Sequence, residues 1–156
     1  MNPSDRTDPS TEGPAMQGVL PKDIIELTPN VYTEPYWLAT AEHRLILPKC
    51  TTCGTYRFPP GPFCWKCRAQ EVEWVEQDGR GTIFSYTVVR HPVIPEMAEA
   101  LPVVAAVVEL PDTGGVRLVT NIVDCAPEDV KIGLAVTVDW YDVRENTTIP
   151  VFRLAE

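Results

Sequence analysis

Two cysteine pairs constrain the fold of this chain more than any other feature of its sequence. Two residues separate Cys50 from Cys53, two separate Cys64 from Cys67, and ten residues lie between the pairs. Such a turn presents both sulfurs to one point in space, and a second turn supplies the other two corners of a tetrahedron. The spacing therefore predicts a closed four-cysteine metal site that organises roughly residues 45–75.

Zinc is the metal that this ligand set favours, although four thiolates also suit iron. A pair of redox motifs would need a surrounding βαβ pattern, which the sequence lacks. A disulfide framework would suit a secreted chain, but no apolar signal segment opens this one. Because protein fills all four coordination positions, we expect the metal to hold the local fold and to perform no chemistry.

The residues after each pair indicate how the metal-binding turns close. Gly54 follows the first pair, and glycine adopts the positive φ that such a turn needs at little cost. Arg68 follows the second pair, which predicts a different turn there. The fifth cysteine, Cys125, ends an apolar run and is expected to be a small buried hydrophobic residue.

Three regions follow from the distribution of prolines and apolar residues. Residues 1–33 are rich in Pro, Ser, Thr and Asp and are predicted to be a disordered or extended arm. Residues 34–75 are assigned to a helix and the four-cysteine ribbon. The helix is predicted over 34–47, with Pro35 in its first turn, Pro48 after its end, and an apolar stripe of Tyr36, Leu38, Ala41 and Leu45.

Residues 76–156 show the period-two pattern of β-strands. No segment is a helix long enough to cover a parallel sheet, so a small antiparallel barrel is expected, with the five-stranded OB-fold as its natural form. Phe84 and Tyr86 alternate on the first strand and are predicted to fill the barrel. The five predicted strands span residues 82–90, 103–110, 116–123, 134–140 and 149–154. The fold class is thus mainly β.

Charge narrows the possible partners. The 156-residue chain has a net charge of −9, and its barrel region carries six basic and thirteen acidic residues. Phosphate backbones would be repelled by that surface, so a nucleic-acid-binding module is the weaker of two hypotheses. No run of about 18 apolar residues is present, so no membrane span and a cytoplasmic location are expected.

Six segments occur in a fixed order within residues 34–154: CTTCG, FPPGPFCWKC, EWVEQDGRGTIFSYTVVRHP, LPVVAAVVEL, VTNI and KIGLAVTVDW. In this order they resemble the acyl-CoA-associated proteins first catalogued as domain of unknown function 35. The resemblance implies an N-terminal helix, a rubredoxin-like ribbon holding structural Zn²⁺, and an OB-fold.

The resemblance also implies a function. Members accompany thiolase-superfamily enzymes, so we expect an accessory subunit in a heterotetramer with a thiolase or a retro-aldolase. Steroid side chains and aromatic acids are the expected substrate classes, and a hot-dog-type enoyl-CoA hydratase is the alternative partner. An acyl-CoA thioester is expected as a ligand of the complex.

Residues are assigned to two further roles. An apolar loop with a nearby cation suits the arm of coenzyme A (CoA). The residues predicted to lie near CoA are Arg90, His91, Val93 and Ile94. Apolar and aromatic side chains suit the partner interface. The residues predicted to contact the partner are Trp37, Trp65, Ile24 and Ile25.

Catalytic groups are scarce. The chain has two histidines, His43 and His91, and contains no Gly-x-Ser-x-Gly nucleophile motif or glycine-rich phosphate loop. No residue is therefore assigned a catalytic role, and the chain is not expected to be an enzyme by itself.

Overall fold

A helix and a two-stranded ribbon precede a closed five-stranded barrel in the computed structural model, which describes residues 16–156. The prediction for the tail before residue 16 lies outside the described residues. The elements are α1 Glu34–Ala41, β1 Ile46–Cys50, β2 Val72–Glu76, β3 Arg80–Val89, β4 Val103–Glu109, β5 Arg117–Ile122, β6 Ala135–Arg144 and β7 Thr147–Leu154. Among these residues, no helix has the length and apolar character needed to cross a bilayer.

The barrel closes in the order β3-β4-β5-β7-β6, with β3 pairing to both β4 and β6. All of these pairings are antiparallel except the short parallel contact of β5 with β7 at Ile122 and Phe152. This arrangement confirms the predicted fold class, a helix and ribbon followed by a five-stranded OB-fold barrel. The strands lie within a few residues of the predicted ones.

The predicted helix over residues 34–47 is too long. α1 ends at Ala41, and His43 takes a left-handed φ of 57° that stops the winding. Residues 46–50 instead form β1, which pairs antiparallel with β2 from Ile46–Glu76 to Cys50–Val72. Pairing across the ribbon thus outweighs the local helical pattern.

The predicted apolar stripe of the helix is right at Tyr36 but wrong at Leu38. Leu38 is 62% exposed, whereas Tyr36, Ala39 and Thr40 are the buried residues of α1. The Thr40 hydroxyl lies 2.9 Å from the carbonyl oxygens of Trp37 and of Thr148 in β7, and its single proton is donated to one or the other. This short helix therefore turns its Thr40 face to the barrel, and a single core contains Tyr36 together with barrel residues.

A β-bulge changes which side chains of β3 face inwards. Ile83 pairs with Val108, but the next paired residue is Ser85, opposite Val107, so Phe84 is the extra residue. As a result Phe84 is 46% exposed, and the Arg117 guanidinium lies 3.5 Å from its ring centroid. The prediction that Phe84 fills the barrel is wrong, whereas Tyr86 packs against the core as predicted.

The arm after residue 15 lies along the barrel of its own chain. The Gln17 N–H donates to the Asp124 carboxylate at 2.8 Å, and the Asp124 N–H donates to the Gln17 carbonyl at 3.1 Å. Val19 is buried in a small cluster with Val123 and Val151. Residues 17–19 form a bend, with a left-handed φ of 82° at Gly18, and their contact with the barrel is intramolecular.

A side-chain cluster fastens the end of α1 to the barrel. The His43 ring stacks on Trp140 with centroids 5.5 Å apart, and its Nε2 lies 2.8 Å from Asp142 Oδ1. The Thr148 hydroxyl donates to the same oxygen at 2.7 Å. Partial burial raises the pKa of Asp142, but the hydrogen bonds from His43 and Thr148 outweigh it and hold the pKa below its usual range.

The Asp142 carboxylate gives an expected pH dependence. Because its pKa is lower in the folded chain, its stabilisation is present above about pH 4 and is lost as the pH falls through the folded pKa. The pair is largely exposed, so we expect Asp142→Asn to cost about 0.5–1 kcal/mol at pH 7. Urea unfolding of both proteins should show this difference shrinking below about pH 4. Exposed Glu145→Gln is the control, and a difference independent of pH would contradict the assignment.

Candidate metal centre and the groove beside it

The four cysteines predicted as ligands lie together at the tip of the ribbon. Their Sγ atoms are all within 4.8 Å of one another, and two pairs, Cys50–Cys67 and Cys53–Cys64, are 3.6 Å apart. These separations are far too long for a disulfide bond. A tetrahedron with zinc–sulfur bonds of about 2.3 Å has edges of about 3.8 Å, so the donor set fits a four-coordinate zinc ion.

The two metal-binding turns have the same backbone geometry. The Gly54 N–H donates to the Cys50 carbonyl at 2.8 Å, and the Arg68 N–H donates to the Cys64 carbonyl at 2.9 Å. Gly54 has a φ of 70° and Arg68 a φ of 66°. The expectation of a different second turn is therefore wrong. Arg68 adopts the left-handed conformation in spite of its side chain, because the sulfur positions require it.

Hydrogen bonds and the neighbouring sulfurs shift the pKa values of the cysteine thiols in opposite directions. Hydrogen bonding with the Thr55 side chain and backbone lowers the pKa of Cys53 to about 6. The Ala69 N–H lowers the pKa of Cys67, but partial burial and the neighbouring sulfurs outweigh it and raise that pKa to about 12. Four thiolates cannot all ionise side by side without a cation. A dication at their centre removes this conflict, since it favours the thiolate form of every ligand.

Arg57 connects β1 to the segment after the second metal-binding turn, a role that the sequence did not predict. It is 4% exposed, and it donates from Nη1 to the Ala69 carbonyl at 3.0 Å and from Nη2 to the Gln70 carbonyl at 2.8 Å. The backbone N–H of Arg57 donates to the Pro48 carbonyl in β1 at 2.8 Å. These hydrogen bonds connect β1 to residues 69–70, which follow the second cysteine pair, while the buried Nε has no partner in the described part of the chain. No spacing or motif in the sequence marks this arginine.

The residues predicted to lie near CoA follow the end of β3 and are all exposed. Val93 is 82% exposed and Ile94 is 40% exposed, ahead of a 3₁₀ turn at Pro95–Ala100. The Arg90 guanidinium pairs with Glu128 at 3.1 Å. The structure thus groups these residues on one loop, where an acidic side chain already neutralises the cation.

The residues predicted to contact a partner lie at separate places. Trp65 is 75% exposed at the tip of the second metal-binding turn. Trp37 is half-buried, and its ring centroid lies 4.9 Å from that of Tyr36 in an edge-to-face arrangement. Ile24 and Ile25 are half-buried in the arm, where the Ile25 carbonyl accepts a hydrogen bond from Arg144 of the barrel at 2.9 Å.

Cys125 lies outside the metal centre. It is half-buried, and it packs against the edge of the main core. Burial raises the pKa of its thiol, with smaller contributions from Asp129 and Asp124. The side chain is therefore a protonated apolar group and not a thiolate ligand or nucleophile.

Two family models cover adjoining parts of this chain. The model described as the rubredoxin-like zinc ribbon domain of ChsH2 matches residues 37–73, and the one for its C-terminal OB-fold domain matches residues 74–141. A DUF35 domain-containing scaffold protein of Methanocaldococcus jannaschii is 38% identical over 103 residues, which cover 65% of this chain and 71% of that protein. This chain belongs to the ChsH2/DUF35 family.

Other proteins similar to this chain differ from it in length and name. The probable enoyl-CoA hydratase alpha subunit of Thermomonospora curvata is 43% identical over 121 residues, which are 77% of this chain but only 37% of that protein. A chain in a solved structure described as Ltp2-ChsH2(DUF35) aldolase is 39% identical, with a TM-score of 0.76. That match covers 84% of this chain and all of the other.

Proposed function

We propose that this chain is a non-catalytic accessory subunit of a thiolase-superfamily enzyme, either a thiolase or a retro-aldolase, that acts on acyl-CoA thioesters. The observation that carries the proposal is the match to the whole of a chain from the Ltp2-ChsH2(DUF35) aldolase structure at 39% identity. The metal centre stabilises the subunit, with zinc held by Cys50, Cys53, Cys64 and Cys67. The heterotetramer is part of the same proposal.

The surroundings of the histidines and thiols support a non-catalytic role. His43 is engaged with Trp140 and Asp142, and His91 is exposed after β3. Within residues 16–156, neither histidine shares a hydrogen bond with a serine, threonine or cysteine side chain. Within these residues no serine, threonine or cysteine is therefore activated by a histidine base. We propose that the reacting groups belong to the partner.

A second candidate partner is a hot-dog-type enoyl-CoA hydratase. The hydratase subunit of Thermomonospora curvata favours it, since 43% identity extends over 77% of this chain. That protein is much longer than this chain, so the proposed subunit corresponds to one part of it. The two candidates predict different partners for the same ribbon and barrel.

The proposed contacts with the partner centre on the ribbon tip. Trp65 and Phe63 are 75% and 58% exposed, and large apolar side chains with this exposure are typical of interaction sites. The proposed contact with CoA is the loop of Val93 and Ile94, whose apolar side chains suit the pantetheine arm. The proposed partner contacts also include Trp37, Ile24 and Ile25, whose side chains are half-buried in this chain and offer a smaller exposed surface.

Co-expression tests this proposal. The chain should form a stoichiometric complex with a thiolase-type protein encoded by a neighbouring reading frame, measured by size-exclusion chromatography with light scattering. We expect Trp65→Ala to weaken the complex about 30-fold or more, since exposed tryptophans are common hot spots of about 2 kcal/mol. Ile132→Ala, at another exposed apolar residue, should leave it intact. A chain that stays monomeric beside thiolase-type and hydratase-type neighbours alike would refute the proposal.

A further inference from the structure

A groove separates the ribbon from the turn between β4 and β5. Its volume is about 730 Å³, and one wall is the first metal-binding turn while the other is the turn at residues 111–115. The tip of the second metal-binding turn closes one side. The side chains that the inference uses are Lys49, Tyr56, Trp65, Lys66, Asp112 and Arg117.

The groove is locally basic on a chain whose net charge is −9. Lys49, Lys66 and Arg117 line it, against the single carboxylate of Asp112. Arg117 is engaged by Glu109 at 2.8 Å, but within residues 16–156 neither lysine ammonium has a carboxylate oxygen within 4.0 Å. Two unpaired cations facing one cleft favour an anionic ligand.

The turn opposite the lysines offers backbone donors. Gly114 and Gly115 both have left-handed φ values, 72° and 94°, and a Cβ on either would meet nothing within 4 Å. The Gly114 N–H donates no hydrogen bond to any group in the described part of the chain, and the Gly115 N–H makes only a weak one within its own turn. Such N–H groups beside open space are typical of sites for phosphate oxygens.

An aromatic ring stands at the mouth of the same groove. Trp65 is 75% exposed, and Tyr56 lies deeper, with the Lys49 ammonium 5.6 Å from its ring centroid. An indole face open to solvent next to cations suits a planar ring joined to an anion. A base stacked on one face of Trp65 leaves the edge of the indole free to contact a protein partner.

We propose that the ribbon–barrel groove binds a nucleoside diphosphate group, with the phosphates between the two lysines and the Gly114–Gly115 turn and the base on Trp65. This chemistry occurs in free ADP and at one end of CoA. Naming CoA as the source of this nucleoside diphosphate group rests on the proposed function, whereas the inference of the site does not. Phosphate binding thus belongs here and not at Arg90, whose charge Glu128 already offsets.

Calorimetric titration of the zinc-loaded full chain with ADP at low salt tests the site. We expect a Kd below about 1 mM, and Lys49→Gln or Lys66→Gln should each raise it about 5–10-fold. Asp112→Asn should lower it about 2–5-fold, because it removes the one repelling charge and asparagine tolerates the left-handed φ of 57° at this position. Lys131→Gln, an exposed lysine outside the groove, is the matched control and should change nothing.

The same titration with four other ligands tests each part of the proposal: CoA, pyrophosphate, adenosine and a short oligothymidylate. Affinity for CoA well above that for ADP would identify CoA as the source, and equal affinity would identify the free nucleotide. Equal binding of pyrophosphate would overturn the base contact, and equal binding of adenosine would overturn the phosphate contact. A short oligothymidylate that binds more tightly than ADP would replace the proposal with single-stranded nucleic acid.

No saturable binding of ADP, or equal effects of Lys66→Gln and Lys131→Gln, would remove the site. Complex formation with the partner is measured separately and does not depend on this result.

Discussion

Replacing Cys64 by serine is expected to unfold the ribbon and to abolish docking to the partner. Cys64 is 1% exposed, and its Sγ lies 3.6 Å from that of Cys53. A structural zinc site contributes on the order of 10 kcal/mol of folding free energy, comparable to the whole stability of a domain of this size. Zinc content should fall, and amide signals of residues 45–75 should collapse in NMR spectra. Cys53→Ser should behave alike.

Cys125→Ser is the matched control for that substitution. Cys125 lies outside the ligand set, so the variant should keep one zinc per chain and a normal complex. The barrel of Cys64→Ser should lose stability as well, because ribbon residues Leu45 and Leu47 share one core with barrel residues such as Ile83. A Cys64→Ser protein with full zinc content and an intact complex would show that the four cysteines do not hold the fold.

Arg57→Met should destabilise the ribbon by about 2–4 kcal/mol. The substitution keeps most of the apolar volume but removes the two hydrogen bonds to the Ala69 and Gln70 carbonyls, which then lie next to an apolar side chain. We expect zinc to be lost to a chelator faster than from the original protein, as measured with a colorimetric zinc indicator.

Arg80→Met makes the same chemical change at an exposed position. The Arg80 side chain is 74% exposed and, within residues 16–156, pairs only with nearby Asp78, so its loss should leave the stability nearly unchanged. Equal effects of the two substitutions on unfolding and on zinc release would contradict the bridging role of Arg57. Arg57→Lys should give an intermediate effect, since one ammonium cannot reach both carbonyls in the same planar geometry.

The metal centre is the part of this molecule that could be predicted most directly. The spacing of Cys50, Cys53, Cys64 and Cys67 specifies four sulfurs around one point because each turn has room for only one arrangement. The five strands followed from period-two runs interrupted by prolines and glycines. The family assignment from ordered segments is likewise confirmed, since those segments carry both matching domains.

The errors lie where long-range pairing overrides a local pattern. Residues 42–47 continue a helical pattern, but β1 is needed as the partner of β2, so the helix ends at Ala41. Phe84 continues a perfect alternation, but a bulge opposite β4 turns it outwards. Arg68 looks unsuited to the turn of Gly54, yet the sulfur geometry imposes the same left-handed φ on it.

The amino-acid sequence by itself determined the ligand set, the order of helix, ribbon and barrel, and the family, because each depends on residues close together along the chain. Only the tertiary structure decided which side chains surround the ribbon–barrel groove. Lys49, Lys66 and the Gly114–Gly115 turn come from three separate segments, and folding of the barrel against the ribbon brings them to one cleft. The buried position of Arg57 has the same origin, since the carbonyls that it binds lie twelve and thirteen residues away.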